Sequence, residues 1–309
     1  MKRKVIRQGH GTLTITLPAK WVEQNGVKAG DELKMEERER TLFLNSNGRD
    51  NDKITIDITD CSLILERLLY SIYKKGYDEV EIFSSNPRHF LKVQEAAHSI
   101  LVGFEIVSQT KSSCIIKRIA AVQTEEFDNI LSRTFFQLNI MLSDMAAALE
   151  KSDITLLESI RLMEITNNRY TGFCRRALNK GDFGNIRNQK FLYCMIEYLE
   201  KVADEVKYLC LYLQEFPKKI ENIPKHVTLL FHELQQLFEK TMRLYSKFSM
   251  DSLLALYSQR KKLIKSANSL FTGNNCRTGI YGHYLLSMTQ EIADVMAFIL
   301  SMQHQADEK

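Results

Sequence analysis

The sequence predicts a multidomain α+β protein in which three parts of the chain differ in secondary structure. Residues 1–47 carry short alternating stretches and turns, residues 53–119 alternate strands with helices, and the chain is helical from residue 124 onward. Apolar residues at every second position indicate strands, whereas apolar residues at every third or fourth position indicate helices. We therefore expect a small β-rich domain, a small α/β domain and an all-α region.

The composition limits the classes of protein that fit. The chain has 309 residues and a net charge of only +4, so any nucleic-acid surface must be local. Six scattered cysteines without a Cys-x-x-Cys pair predict free thiols and a cytoplasmic protein. We expect neither a signal peptide nor a membrane span, because no apolar run approaches the roughly 18 residues that a spanning helix needs.

The first part is predicted to contain short strands, a short helix and a charged hairpin. Thr12–Leu17 alternates as a strand, Pro18 opens a helix that runs to Gln24, and Glu36–Arg40 forms the hairpin turn between two further strands. A unit of this size buries too little apolar surface to be stable alone. The sequence therefore predicts that a partner chain completes it.

The second part, residues 53–119, reads as a small α/β domain that follows a junction at residues 48–52. Gly76 and Gly103 each end a predicted helix. Strands that alternate with helices are typical of a sheet covered by helices. The predicted strands are 54–58, 79–83, 104–107 and 114–117, and the predicted helices are 63–75 and 90–101.

Six long helices are predicted after residue 124. Their short connections indicate antiparallel neighbours, which favours two three-helix bundles in tandem, at 124–216 and 224–306. The similar segments Tyr198–Asp204 and Met288–Asp294 indicate a weak internal duplication. The predicted helices are 124–150, 153–180, 188–215, 224–248, 251–271 and 279–305.

The N-terminal part is basic, since no acidic residue precedes Glu23. A basic N-terminus can be a solvated tail, but here the charges lie within a strand pattern, which favours a one-sided positive face for nucleic acid. Against a near-neutral remainder, this face is expected to be the only concentrated positive surface. Its cations are Lys2, Arg3, Lys4, Arg7 and Lys20.

These segments carry a resemblance to a known family. Arg3–Arg7, Thr14–Trp21 and Gly26–Asp31 together resemble the AbrB/SpoVT-type (MazE-like) DNA-binding domain. The resemblance implies a homodimer in which swapped hairpins form one β-barrel that binds double-stranded DNA. In this sequence Gly9-His10-Gly11 stands where the family usually has a Gly-Arg turn. The implied DNA-contacting residues are Lys2, Arg3, Lys4, Arg7, His10 and Lys20.

The helical region carries a second resemblance. Leu199–Asp204, and less fully Gln290–Asp294, resemble the "ERIGD" segment of PhoU-type phosphate-signalling regulators, which have two tandem three-helix bundles. An archaeal form of that family joins an AbrB-like domain and a small α/β unit to the PhoU-like region. The resemblance implies a link to phosphate uptake and homeostasis, with phosphate-transport or signalling proteins as partners.

In PhoU-like proteins, E/D-x-x-x-D pairs bind metal, because carboxylates four residues apart share one helix face. The resemblance makes Glu200, Asp204 and Asp294 the candidates for holding a divalent or ferric ion. Glu164-x-x-x-Asn168, on the second long helix, retains only one carboxylate of such a pair. The alternative is that these carboxylates pair with groups on neighbouring helices. No cofactor other than this metal ion is predicted.

No nucleotide-binding, nucleophile-elbow or zinc-protease motif occurs, so we expect a protein that is not an enzyme. Two functions remain open. The first is a dimeric DNA-binding transcriptional regulator in which the helical region senses a ligand or docks a partner. The second is a PhoU-like interaction protein that modulates a phosphate transporter and its signalling partners without specific DNA binding. An antitoxin is less favoured, because MazE-like antitoxins usually carry a short flexible tail.

Overall fold

A computed structural model describes residues 1–9, 11–38, 41–46, 52–120, 125–180, 186–272 and 278–303. These residues belong to two compact units, Met1–Asp52 and Lys53–Lys309. Residues 48–51 of the predicted junction lie outside the described part. The boundary at Asp52 therefore separates the β-rich part from everything that follows, and the α/β part shares a unit with the long helices.

The first unit contains two antiparallel hairpins and one short helix. Strand β1 pairs with β2, and β3 pairs with β4, as two separate two-stranded sheets. Helix α1 lies between the hairpins in sequence. The elements are β1 (Ile6–Gln8), β2 (Thr12–Thr14), α1 (Ala19–Gln24), β3 (Leu33–Arg38) and β4 (Thr41–Ser46).

Two sequence predictions for this unit were wrong in their bounds. The strand predicted over Thr12–Leu17 ends at Thr14, because its partner β1 begins at Ile6, opposite Thr14. The predicted hairpin turn Glu36–Arg40 is too long, since both strands pair until Arg38 lies opposite Thr41. Residues 39 and 40 lie outside the described part.

The second unit begins with a four-stranded sheet in the order β5-β6-β8-β7. Strands β5 and β6 are parallel and connected through α2, whereas β8 runs antiparallel to both of its neighbours. Leu69, Ile82 and Phe90 are among the side chains in its core. The elements are β5 (Lys53–Asp57), α2 (Leu65–Lys75), β6 (Glu79–Phe83), α3 (His89–Ser99), β7 (Phe104–Gln109) and β8 (Ser113–Arg118), which confirms the predicted element order.

Six long helices follow, as predicted. Helices α4, α5 and α6 contact one another, helices α7, α8 and α9 contact one another, and the two sets meet through α6 with α9 and α4 with α7. One hydrophobic core runs through both sets. Their bounds are α4 (Glu125–Lys151), α5 (Ile154–Lys180), α6 (Ile186–Glu215), α7 (Lys225–Ser246), α8 (Met250–Ser269) and α9 (Gly279–Gln303).

Helix α9 is the one described helix that is long and apolar enough to cross a membrane. Half of its most apolar window is buried inside the fold, where α9 packs against α6, α7 and α8. A central core helix has the same composition, so this helix is weak evidence for a membrane span. The expectation of no membrane span stays a prediction.

Helix α5 joins the long helices to the α/β part. Arg176 of α5 is buried, and its guanidinium donates to the carbonyl oxygens of Tyr73 and Tyr77, both at 2.8 Å. It also pairs with buried Asp78 at 2.7 Å. These contacts satisfy the Tyr77 carbonyl just beyond α2 and add a second donor to the Tyr73 carbonyl, which also accepts from the Gly76 N–H at 3.1 Å. The α/β part is thereby fixed to α5.

Candidate nucleic-acid interface

The predicted DNA-contacting side chains lie on the surface of the first unit. Arg7 is on β1, opposite Leu13 of β2, and Lys20 is on α1. The other three lie in the segment before β1. All five side chains, Lys2, Arg3, Lys4, Arg7 and Lys20, are exposed. His10 lies outside the described residues.

The turn between β1 and β2 is built on two glycines. Gly9 has φ +72° and Gly11 has φ +91°, a region that L side chains rarely adopt. A Cβ at either position would meet no neighbouring atom, so the backbone conformation rather than crowding selects glycine. The tight turn brings β2 back along β1 and keeps Arg7 on a two-stranded ribbon.

The end of α1 is fixed by local hydrogen bonds. The Asn25 side-chain amide donates to the Trp21 carbonyl at 2.8 Å, and Gly26 follows with φ +62°. The next turn closes where the Lys28 backbone N–H donates to a carboxylate oxygen of Asp31 at 2.7 Å. The Asp31 carboxylate thus stabilises this turn. Glu23 on α1 is the only acidic residue that precedes Asp31 in the sequence.

The first unit has no interior of its own. None of the side chains that the structure describes in residues 1–52 is buried. Several apolar residues of its strands are more than half exposed, including Leu13 at 67%, Met35 at 61% and Leu42 at 63%, while others such as Phe43 are partly buried. An apolar surface of this kind is stable in water only when another surface covers it. The unit therefore presents an apolar surface that a second chain can cover.

The basic side chains have the chemistry that nucleic acid requires. A two-stranded ribbon fits the major groove of B-DNA, where arginine donates to base edges. Exposed lysine and arginine side chains also neutralise phosphates. Arg3, Lys4 and Arg7 supply such donors on and beside the strand. The arrangement can therefore bind the phosphates of a nucleic acid electrostatically and contact its base edges through arginine.

Glu200, a predicted metal ligand on α6, has partners on two other helices. It accepts from the guanidinium of Arg175, which is fully buried on α5. It also accepts from the hydroxyl of Tyr70 on α2 at 3.2 Å and from Thr171 on α5. Arg175 pairs with Glu197 as well. The positive charge that balances the Glu200 carboxylate is therefore that of the Arg175 guanidinium.

Asp204, the second predicted ligand, lies beside an ammonium group. Lys207 of α6 contacts the Asp204 carboxylate and, at 2.8 Å, that of Glu164 on α5. Asn168 donates to the same Glu164 carboxylate at 2.7 Å. Burial raises the pKa of Glu164, against the opposing effect of Lys207. Lys207 supplies the positive charge between the carboxylates of α5 and α6.

Asp294, the third predicted ligand, is exposed on α9 near Glu291. In the described part of the chain, no three His, Cys, Asp or Glu side chains are placed to hold a metal ion. The donor set does not fit a metal ion, because Glu200 and Asp204 already pair with Arg175 and Lys207. Their geometry corresponds to the alternative in which the carboxylates pair with neighbouring groups.

A second basic segment lies on α7 and α8, and it corrects the expectation of a single concentrated positive surface. Residues 240–265 contain seven lysines and arginines and one acidic residue, Asp251, which gives the segment a net charge of +6 in a chain of +4. A charge count over a sliding window would have found it. The basic residues are Lys240, Arg243, Lys247, Arg260, Lys261, Lys262 and Lys265.

Comparison with known proteins bears on the first unit. The model of a family described as "Antidote-toxin recognition MazE, bacterial antitoxin" matches residues 6–44. A comparison with curated proteins finds no match to the chain. The family match ends before the α/β part, so the PhoU-like resemblance of the helices stays a prediction. Domains of the matched type bind DNA and dimerise, and residues 6–44 are an AbrB/MazE-like domain at the N-terminal end of a mixed α+β chain.

Proposed function

We propose that the protein is a DNA-binding transcriptional regulator that acts as a homodimer through its N-terminal unit. The observation that carries the proposal is the exposure of Arg3, Lys4 and Arg7 on and beside the β1–β2 ribbon of an AbrB/MazE-like domain. No acidic residue precedes Glu23, so this surface is uniformly positive. A uniformly positive ribbon is attracted to the phosphates of duplex DNA.

Dimerisation follows from the exposed apolar residues of the same unit. Leu13 on β2, Met35 on β3 and Leu42 on β4 all face solvent in a single chain. Among the described residues each strand of this unit also pairs with one other strand, which leaves a free edge on each hairpin. A second copy carries the same apolar surface and the same free edges. Pairing the hairpins of two copies in a swapped barrel covers both.

A dimer also explains how a small basic surface could bind DNA specifically. Each copy supplies its own Arg3, Lys4 and Arg7, so the number of phosphate contacts doubles in the dimer. Two copies related by a two-fold axis match a palindromic site on duplex DNA. Arginine that reaches a guanine edge supplies the sequence preference, while lysine and the remaining contacts fix the register.

We assign the second unit the role of a sensing or docking body rather than an enzyme. Its six long helices share one core, and α5 ties the α/β part to that core. Two of the carboxylates that the sequence points to, Glu200 and Asp204, form ion pairs with Arg175 and Lys207. The unit is better suited to transmit a packing change than to perform chemistry.

The link to phosphate uptake and homeostasis rests on the PhoU-like resemblance of the helical region, carried by Leu199–Asp204 and less fully by Gln290–Asp294. It predicts that occupancy of the target DNA changes when cells are shifted from phosphate-rich to phosphate-poor medium. Chromatin immunoprecipitation in the two media measures that occupancy. Equal occupancy would remove the phosphate link and leave the DNA-binding proposal intact.

The proposal is tested by selecting bound sequences from a pool of random duplexes with the full chain. We expect enrichment of a palindromic motif. The variant Arg3→Ala/Lys4→Ala/Arg7→Ala should enrich none. The control Lys261→Ala/Lys262→Ala/Lys265→Ala removes the same charge from α8 and should recover the wild-type motif. Failure of the wild-type chain to enrich any motif contradicts the proposal.

A second candidate function follows from the description of the matched family, which names antidote–toxin recognition. An antitoxin would need a toxin as its partner, and the apolar strands of the first unit would then contact it as well as a second copy. Co-purification from the native cell discriminates the two. A stoichiometric small protein that inhibits growth when it is expressed alone supports the antitoxin, and a homodimer without it supports the regulator.

A further inference from the structure

We infer that a cavity between α7 and α8 binds a small organic anion that has an apolar tail, such as a medium-chain carboxylate. The cavity has a volume of about 450 Å³, within the range of small-molecule sites. It lies where the last turns of α7 face the first turns of α8. Its walls combine three cations with two leucines and an alanine, together with Ser252 and Gln259.

The cations line one wall. Lys240, Arg243 and Lys247 lie three and four residues apart, which places them along one side of α7 and its end. Lys247 follows the last residue of α7 with an extended backbone, and its ammonium has no hydrogen-bond or ion-pair partner among the described residues. It is therefore free to bind an anion.

The other two cations are held in place by neighbours. Arg243 pairs with Glu239, one turn earlier on α7, at 2.6 Å, and Lys240 donates to the side-chain carbonyl of Gln259 at 2.9 Å. Gln259 is itself anchored, since its amide donates to the Glu233 carbonyl at 3.3 Å. Glu239 offsets one of the three positive charges. The cavity thus keeps a net positive charge with oriented donors.

The floor of the cavity is apolar. Leu244 of α7 and Leu256 of α8 form it, both almost fully buried, and Ala255 adds a small side chain at the α8 wall. The methylene stems of Lys240 and Lys247 extend this apolar surface toward the rim. A carboxylate at the rim and a hydrocarbon tail on the floor would satisfy both parts. A bare anion would leave the floor uncovered, and a neutral hydrocarbon would leave Lys247 unpaired.

The rest of the basic segment offers a matched control. Lys261 and Lys265 are exposed on α8 and do not line the cavity. They lie about 200° and 240° around the helix from Gln259, on its other side. Removing them changes the net charge as much as removing two cavity cations. If the cavity holds the ligand, removing the two cavity cations weakens binding and removing Lys261 and Lys265 does not. If the general positive field holds it, both removals weaken binding equally.

The residues of the site all belong to the second unit, so its test does not depend on DNA binding by the first. Isothermal titration of the full chain at 0.15 M salt, a concentration at which the Debye length is about 8 Å, uses octanoate, octanol and inorganic phosphate as probes. We expect octanoate to bind at one molecule per chain, and octanol and phosphate to bind at least about tenfold more weakly. Arg243→Gln/Lys247→Gln should weaken octanoate binding about tenfold, and Lys261→Gln/Lys265→Gln should leave it unchanged.

A cavity-filling variant tests whether the hydrocarbon tail binds in the cavity, and it leaves the charged side chains unchanged. Ala255→Phe places a ring in the cavity and should abolish octanoate binding while thermal melting shows an intact fold. The inference is overturned if the wild type does not bind octanoate. It is equally overturned if octanol or phosphate binds as tightly, if the control loses as much affinity as the cavity variant, or if Ala255→Phe binds normally. If the protein binds duplex DNA and both charge variants weaken that binding equally, the basic segment is a general polyanion-binding surface instead.

Discussion

Gly172 of α5 lies so close to the ring of Tyr70 of α2 that a Cβ at position 172 would be 2.6 Å from Tyr70 Cε2. The contact places the Tyr70 hydroxyl where it donates to the Asn168 carbonyl at 2.9 Å and accepts from Arg175 at 3.0 Å. Glycine inside a helix costs about 1 kcal/mol relative to alanine. This glycine therefore serves the close approach of α2 to α5.

We predict that Gly172→Ala destabilises the second unit by about 1–3 kcal/mol, because Tyr70 must move and lose its hydrogen bonds. Urea denaturation followed by circular dichroism measures the change. Gly279→Ala is the control, since among the described residues its Cβ would meet the ring of Phe271 at 3.7 Å, an ordinary contact. If Gly172→Ala is as stable as the wild type or more stable, α2 can move away from α5 without a loss of stability, which contradicts the prediction.

Arg175→Met should destabilise the fold by about 3 kcal/mol or more. Arg175 is fully buried, and its loss removes the ion-pair partner of the Glu200 carboxylate, which is only 15% exposed. Adding Glu200→Gln should recover part of the loss, and a double-mutant cycle from urea midpoints measures that coupling. The exposed pair of Arg161 with Glu158 is the control, where Arg161→Met should cost less than about 1 kcal/mol. Equal losses for Arg175→Met and Arg161→Met would contradict the assigned role of Arg175.

Stability should depend on pH through Glu291 of α9. Burial, with the nearby carboxylates of Glu205, Asp204 and Asp294, raises its pKa from 4.5 to about 8, and Lys201 opposes the rise. The folded state therefore binds this proton more tightly than the unfolded chain does. The group's contribution is complete below pH 4.5, falls as the pH rises toward 8, and is constant above 8.

The variant Glu291→Gln tests this dependence, because glutamine resembles the protonated side chain at every pH. We expect equal urea midpoints for variant and wild type at pH 4.5 and a higher midpoint for the variant above pH 8. Glu233→Gln, at an exposed position on α7, should show no such divergence. Parallel pH profiles for Glu291→Gln and the wild type would refute the assignment.

Dimerisation should depend on the apolar strand residues of the first unit. Leu42→Asp introduces a charge into the surface that the second copy is proposed to cover, and should shift the chain from dimer to monomer at micromolar concentration. Sedimentation velocity measures the change. Leu63→Asp is the control, because Leu63 is 99% exposed outside this unit. A dimer that survives Leu42→Asp would place the interface elsewhere.

Local patterns predicted most of the secondary structure. The six helices follow from apolar residues every three or four positions, and α6 ends at Glu215, next to the break that Phe216-Pro217 makes in the pattern. Strand β2 was predicted too long, because an alternating pattern such as Thr12–Leu17 does not reveal that its partner pairs with it only as far as Thr14. Pairing length depends on the other strand, which periodicity does not report.

The candidate sites were predicted less completely, because they depend on contacts between distant residues. Lys2, Arg3 and Lys4 are consecutive and Arg7 follows three residues later, so a charge count was enough to find them. By contrast, Arg175 and Tyr70 are 105 positions apart, and nothing in either local pattern indicates their contact. Lys207 follows Asp204 by three residues, so the helix period could have shown that an ammonium lies beside that predicted ligand.

The most direct test of DNA binding by the N-terminal unit is the salt dependence of duplex affinity, measured by fluorescence anisotropy with the full chain. Arg3→Ala/Lys4→Ala/Arg7→Ala should weaken binding and reduce the slope of log K against log salt by about one for each phosphate contact removed. The control Lys261→Ala/Lys262→Ala/Lys265→Ala should keep the wild-type affinity and slope. Unchanged affinity and slope in the N-terminal variant, or equal losses in the control, would contradict the account.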